Sequence, residues 1–323
     1  MNKRFIFTIS LLLGVILTVI IYSSIGKILL PFREAPLYIL LSYIFLVFLI
    51  LAVHTLKWKI ILKTTNHNIP FRKLFIFQIM GYSINYITPT AHIGGEPLKA
   101  AMLKENNVPY SEGVSSIFID KSLEIISNGF FVFIGIMITI LSFTLQRQEK
   151  INLIILSSIC IILLVWAFIA FVKKGNTLHS IYKFLRLDRI KSFKNIDEDI
   201  KKTDDNINMF FRNHKLTFFI SLLLSFSMWI FMFLEYKLLF LILGFNANII
   251  QLFVVISFVG FAYMIPIPAA VGVLEAGQLS AFSILNLSSS LGIAASIIIR
   301  AKDSVITLIG LSIITFKGLW DFK

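Results

Sequence analysis

A few ionisable residues stand where the surrounding sequence is otherwise apolar. Lys121 and Glu124, with Asp120 beside them, lie inside an apolar run over 113–145. Arg300, Lys302 and Asp303 lie inside another run over 291–316, and Glu96 and Glu275 fall in segments interrupted by proline and glycine. Residues three apart share a helix face, so Glu124 lies on the face of Lys121 and Asp303 on that of Arg300. Lys121 is about ten residues into its run, roughly 15 Å deep, near the middle of a bilayer core about 30 Å thick. A charge there costs about 2.5–3.5 kcal/mol even on lenient insertion scales, and persists where it is paired or lines a wet cavity.

Two chemistries fit these residues. The cations could hold a phosphate-like group, Arg300 as a planar fork and Lys121 as a point charge. Alternatively, the acids and bases neutralise one another and pin their segments in place. The expectation is that Glu96, Glu275, Lys121 and Arg300 converge near a pseudo-twofold axis, with Glu124 and Asp303 in the same cavity. His92 could relay protons. Asn85 and Tyr86 precede the first break, as entrance or as packing residues. The sequence holds no G-x-S-x-G, Walker loop, H-E-x-x-H or nucleophile–base spacing, and its histidines are scattered. No catalytic residues, cofactor or metal site are expected. The lone Cys160 cannot form an internal disulfide.

The elements that must position these residues are transmembrane helices. Of 323 residues, 57% are hydrophobic and 15% charged, against about 25% charged in soluble domains. That excludes a soluble enzyme. Apolar runs cover 5–30, 37–56, 113–145, 151–172, 216–243, 249–266 and 291–316, and about 20 residues span a bilayer. The first is too long for a signal peptide and reads as a retained helix. The net charge of +13 reflects positive cytoplasmic loops rather than nucleic-acid binding. Lys3 and Arg4 put the N-terminus inside; a loop carrying Lys57, Lys59, Lys63, Arg72 and Lys73, the basic segment 173–215 and the C-terminal tail are also cytoplasmic by this rule. Segment 173–215 has apolar residues at helical spacing (Ile181, Phe184, Leu185, then Ile196, Ile200, Ile207, Phe210 and Phe211) and reads either as amphipathic helices on anionic lipid or as a plain connector.

This count forces 71–109 to enter and leave on one side, as a re-entrant hairpin broken at Pro89 and Gly94–Gly95, with Pro97 following. Segment 249–287 is its counterpart, broken at Pro266, Pro268 and Gly272. An offset of 179 positions superposes the two without gaps: Gly81 on Gly260, Pro89 on Pro268, Ala91 on Ala270, Glu96 on Glu275, Lys121 on Arg300 and Glu124 on Asp303. The expected architecture is an all-α, polytopic membrane protein. It forms a single transmembrane domain, 1–323, of about six full spans plus two re-entrant hairpins. The spans and hairpins form an inverted repeat, 37–145 against 216–323, of the kind that gives transporters two mirrored states.

The segments Asn-Tyr-Ile-Thr-Pro-Thr-Ala-His-Ile-Gly-Gly-Glu-Pro-Leu-Lys over 85–99 and Pro-Ile-Pro-Ala-Ala-Val-Gly-Val-Leu-Glu over 266–275 resemble the transmembrane-domain family of lysylphosphatidylglycerol synthases. These flippase-like proteins form the membrane half of multiple peptide resistance factors. The resemblance covers nearly the whole chain. It implies translocation of a phospholipid, aminoacylated phosphatidylglycerol or another anionic or polyprenyl lipid, across the cytoplasmic membrane. It also implies a homo-oligomer or a separate lipid-synthase partner. The sequence stops at Lys323 without a synthase domain, so aminoacyl transfer is not expected. A secondary transporter of a small solute, or a membrane subunit associated with phosphatidylglycerol lysyltransferase activity, are the alternatives.

Overall fold

A computed structural model describes residues 34–90, 93–143, 197–265 and 267–321, with isolated positions between 147 and 183. The expected first helix over 5–30, most of 151–172, the start of the basic segment, and Ala91, His92, Cys160 and Pro266 lie outside the described residues.

Every regular element described is helical. Helix α1 runs Leu37–Leu62, α2 Phe71–Ile87, α3 Glu96–Glu105 and α4 Tyr110–Ser142. After the central segment come α5 Asp197–Asn213, α6 Lys215–Ile242, α7 Ile249–Met264, α8 Val273–Ile284 and α9 Ser289–Asp321. Pro36, Pro70 and Pro109 immediately precede α1, α2 and α4, where a missing N–H costs nothing. Asn248 starts α7 with a capping box: its side chain accepts from Gln251 N at 2.9 Å, and Gln251 accepts from Asn248 N at 2.8 Å.

The helix bounds follow the offset read from the sequence. Helices α4 and α9 are both 33 residues long and begin 179 positions apart. The same shift carries α1, α2 and α3 onto α6, α7 and α8 to within about two residues at each end, the ordinary uncertainty of helix bounds. Packing is crosswise. Helix α2 lies on α9, α7 lies on α4, and α1 lies on α6.

Helices α4 and α6, and α1 with its following turn (Leu37–Thr65), are long and apolar enough to cross a membrane. Helix α9 has the length, but Arg300, Lys302 and Asp303 interrupt it. Helices α2 and α7, of 17 and 16 residues, are about 24–26 Å long, short of a full bilayer core. The outer faces are apolar: Leu37, Leu41, Ile44, Phe45 and Phe48 on α1 and Leu216, Phe219 and Leu223 on α6 are exposed. Lys57, Lys99, Asp120, Arg300 and Asp303 are buried. This reversal of the soluble pattern describes a membrane-embedded protein.

Two expectations are corrected. Lys57, read as a cytoplasmic loop residue, lies within α1, which continues past residue 56, and is only 1% exposed. The apolar face of α5 does not lie open to lipid: Ile207 and Phe210 pack with Ile61, Ile119 and Leu123 of α1 and α4. The outer face of α5 carries Lys201–Asp197 and Lys202–Glu198 pairs at 2.6 and 2.8 Å, and the bond from Lys201 holds the Asp197 carboxyl below its usual range.

Candidate functional site

The two hairpin breaks are built differently. In the first, α2 ends at Ile87 and the chain turns back through Gly94–Gly95 into α3. Asn85 closes the turn: Gly95 N donates to its Oδ1 at 2.7 Å, and its Nδ2 donates to Glu96 Oε1 at 3.3 Å. Only glycine fits at position 95, because a Cβ would sit 2.0 Å from the carbonyl oxygen of Gly81. Glu96 pairs with Lys99 at 2.9 Å, and the Lys99 ammonium lies 4.5 Å above the Trp58 ring. Lys121 reaches Glu96 only at 3.9 Å and bonds Glu124 at 3.2 Å.

In the second break, Ala269 and Ala270 adopt positive φ of 51° and 49°, and Arg300 of α9 clamps them. Its guanidinium donates to the Ala269 carbonyl, to the Ala270 carbonyl at 3.0 Å, and to both Glu275 oxygens at 2.8 and 3.1 Å. It also reaches the Tyr86 hydroxyl at 3.4 Å. Glu275 in turn accepts from Gly272 N at 2.8 Å. Gly272 has φ of +80°, a region that side chains disfavour.

The positive ends of both half-helices are therefore answered by the protein's own oxygens. Each of the expected anion-holding cations is already engaged by an acid. Glu96, Glu275, Lys121 and Arg300 do not converge on one point. They form two separate clusters, linked through neighbouring Asn85 and Tyr86 on α2.

Beside Lys121 and Glu124 lies a cavity of about 470 Å³. Of the residues expected in a cavity, Lys121, Glu124 and Asp303 line it; Glu96, Glu275, Arg300 and Asn85 do not. His92 falls outside the described residues. Pro89, Pro97, Pro268, Gly94, Gly95 and Gly272 all lie at the hairpin turns. The sequence reading missed much of the lining. Lys57 is held by Asp120 at 3.1 Å. On the opposite wall, Lys302 bridges Glu235 at 2.6 Å and Asp303 at 3.3 Å. Tyr82 donates to Asp303 at 2.7 Å, Tyr263 to Asp303 at 3.3 Å and Tyr43 to Glu235 at 3.3 Å. His54 also lines the cavity. A signal for Glu235 was present, since it is the lone acid within its apolar run; the tyrosines carried none.

Fold and site together define a polytopic helical membrane protein with a charged internal cavity between broken helices. The chain belongs to the family described as lysylphosphatidylglycerol synthase TM region, whose model matches residues 7–310. It is similar to a UPF0104 membrane protein of Methanothermobacter thermautotrophicus, 24% identical over 88% of this chain and 87% of the relative. A UPF0104 membrane protein of Methanocaldococcus jannaschii is 26% identical over 91% and 89%, and one of Pyrococcus horikoshii 24% over 90% of each. No solved structure matches the chain.

Proposed function

We propose that this protein is a lipid translocator that carries a phospholipid headgroup across the cytoplasmic membrane through the charged cavity, while the acyl chains stay in the bilayer. The cavity is the observation that carries the reading. At about 470 Å³ it falls in the range of about 300–1,000 Å³ typical of ligand sites. Its wall joins Lys57, Lys121 and Glu124 from the first half to Glu235, Lys302 and Asp303 from the second, inside a bundle whose outer surface is apolar. Charged residues inside the hydrocarbon region cost a membrane protein stability, and such residues mark a substrate path by default.

The chain is read as one transmembrane domain built from an inverted repeat, 37–145 against 216–323, with about six full spans, two re-entrant hairpins and both termini cytoplasmic. The matching helix bounds and the crosswise packing of α2 on α9 and α7 on α4 support it. Such halves support two states, open to opposite sides. The family description, the membrane region of a lysylphosphatidylglycerol synthase, favours a phospholipid over a soluble solute. The protein acts without bond chemistry and receives its lipid from a separate synthase.

The test is a flip assay in vesicles containing the purified protein, with labelled phosphatidylglycerol and its aminoacyl ester. Protein-containing vesicles should flip at least one of them faster than protein-free vesicles. A Lys121→Ala/Lys302→Ala double variant should be slower by at least about tenfold, equivalent to about 1.4 kcal/mol. Equal rates in all three preparations with each lipid would sink the reading, and uptake of a soluble solute instead would replace it.

A further inference from the structure

Among the described residues the buried charges do not balance, and the imbalance sits in one place. Among the described residues, five bases lie inside the helical bundle: Lys57, Lys99, Lys121, Arg300 and Lys302. Each of the first four has its own carboxylate: Asp120, Glu96, Glu124 and Glu275. Lys302 has two acids to serve that have no other base, Glu235 and Asp303. His54 does not make up the difference, because the charges around it are Glu124, Lys57, Asp120 and Lys121. Among the described residues, one carboxylate therefore lacks a base, beside the cavity.

The groups facing this pair come from five helices, while α4, which also packs on α6, brings Lys121 and Glu124 into the same cavity, where they pair with each other. Helix α1 supplies Tyr43, α2 Tyr82 and Tyr86, α6 Glu235 and Tyr236, and α7 Tyr263. Helix α9 supplies Lys302, Asp303 and Arg300, and Arg300 is taken by Glu275. Tyrosine hydroxyls spread a carboxylate's charge but do not cancel it. Both acids are well buried, Asp303 at 2% and Glu235 at 7% exposure. A surplus carboxylate in such a setting takes up a cation or a proton.

The hydrogen bonds indicate which acid. Both Asp303 oxygens accept from donors: Oδ1 from Tyr82, with Lys302 close by, and Oδ2 from Tyr263. Glu235 Oε1 accepts from Lys302 and Tyr43, while Oε2 accepts no hydrogen bond from the described residues. Lys302 is poised to neutralise either acid. The repeat offset sharpens the point: Glu235 and Lys302 fall on Leu56 and Leu123, so this pair belongs to the second half alone.

We propose that Glu235 is a proton-binding site, and that its protonation couples cargo movement to proton flow. The coupling rests on the translocation reading above; the proton site does not. When Lys302 neutralises Asp303, Glu235 takes a proton on Oε2 from the cavity water. When Lys302 returns to Glu235, that proton leaves to water on the side then open.

Two measurements test it separately. Infrared difference spectra of the purified full-length protein in detergent, recorded over a pH series, should show a protonated-carboxyl band that disappears as pH rises. Glu235→Gln should remove that band. Tyr43→Phe, which deletes one donor to the carboxylate, should shift its loss to higher pH. No such band in the wild type, its persistence in Glu235→Gln, or an unmoved titration in Tyr43→Phe overturns the proton site.

In lipid vesicles, a coupling of one proton per lipid shifts the steady-state ratio of lipid between leaflets about tenfold per imposed pH unit. In Glu235→Gln the ratio should be the same with and without the gradient. Lipid that moves in the wild type with no response to the gradient overturns the coupling and leaves translocation standing. A titrating band in a protein that moves no phospholipid overturns translocation and the coupling with it, and leaves the proton site standing.

Discussion

The two hairpins share a plan and differ in how tightly they are held. In each, a broken helix is followed by a half-helix whose opening turn carries a glutamate, and a base on the next long helix approaches that glutamate. In the second hairpin the base is Arg300. It grips both Glu275 oxygens and two backbone carbonyls at once, and these are the carbonyls of Ala269 and Ala270, the residues with positive φ. In the first, the base is Lys121, 3.9 Å from Glu96 and closer to Glu124. There the turn is held by Asn85, and Glu96 by Lys99. A planar fork can hold a strained turn and an acid together; an ammonium binds at one point. Positions matched at the 179 offset thus carry unequal loads, and the first turn is the one held by fewer bonds from its base.

The largest expected effect would break this contrast most directly. Arg300→Ala leaves Glu275 without its base and the carbonyls without donors, at a cost of about 3–5 kcal/mol. Lys121→Ala should cost less, about 1–3 kcal/mol, because Glu96 keeps Lys99. Denaturant unfolding in detergent reads both, and equal losses would end the claim of unequal loads. Gly95→Ala forces a Cβ onto the Gly81 carbonyl, so its loss should reach the upper part of the about 1–3 kcal/mol usual for overpacking.

A smaller and sharper comparison exchanges the bases. Arg300→Lys loses the bidentate geometry and should cost about 1.5–3 kcal/mol. Lys121→Arg should stay within about 0.5 kcal/mol. Asn85→Ala removes the bond to Gly95 N and should cost about 1–2 kcal/mol, with the unfolding midpoint as readout.

Much of the plan was legible in the residue types. Proline and glycine at 89, 94–95, 268 and 272 marked turns because few other residues tolerate such backbones. Charges inside apolar runs marked the interior because lipid rejects them. The partners were harder to read. Lys57 looked like a loop residue because it ends an apolar run, yet α1 carries it one more turn into contact with Asp120, which is 63 positions away. Glu235 and Lys302 are 67 positions apart, and no local pattern links them. The apolar stripe on α5 suited a lipid surface equally well, since apolar packing has no direction that a sequence reveals.

The sequence by itself determined an all-helical membrane protein with two broken segments and a set of charges matched at an offset of 179 positions. Those features follow from what each residue tolerates locally: hydrocarbon, a turn, or neither. Beyond the local pairs Lys121–Glu124 and Glu96–Lys99, tertiary structure decided which charge meets which. These contacts form across helices brought together by packing, so the clamp at Arg300, the loose approach of Lys121 to Glu96 and the lysine shared by Glu235 and Asp303 exist only once α3, α4, α6, α8 and α9 are in place.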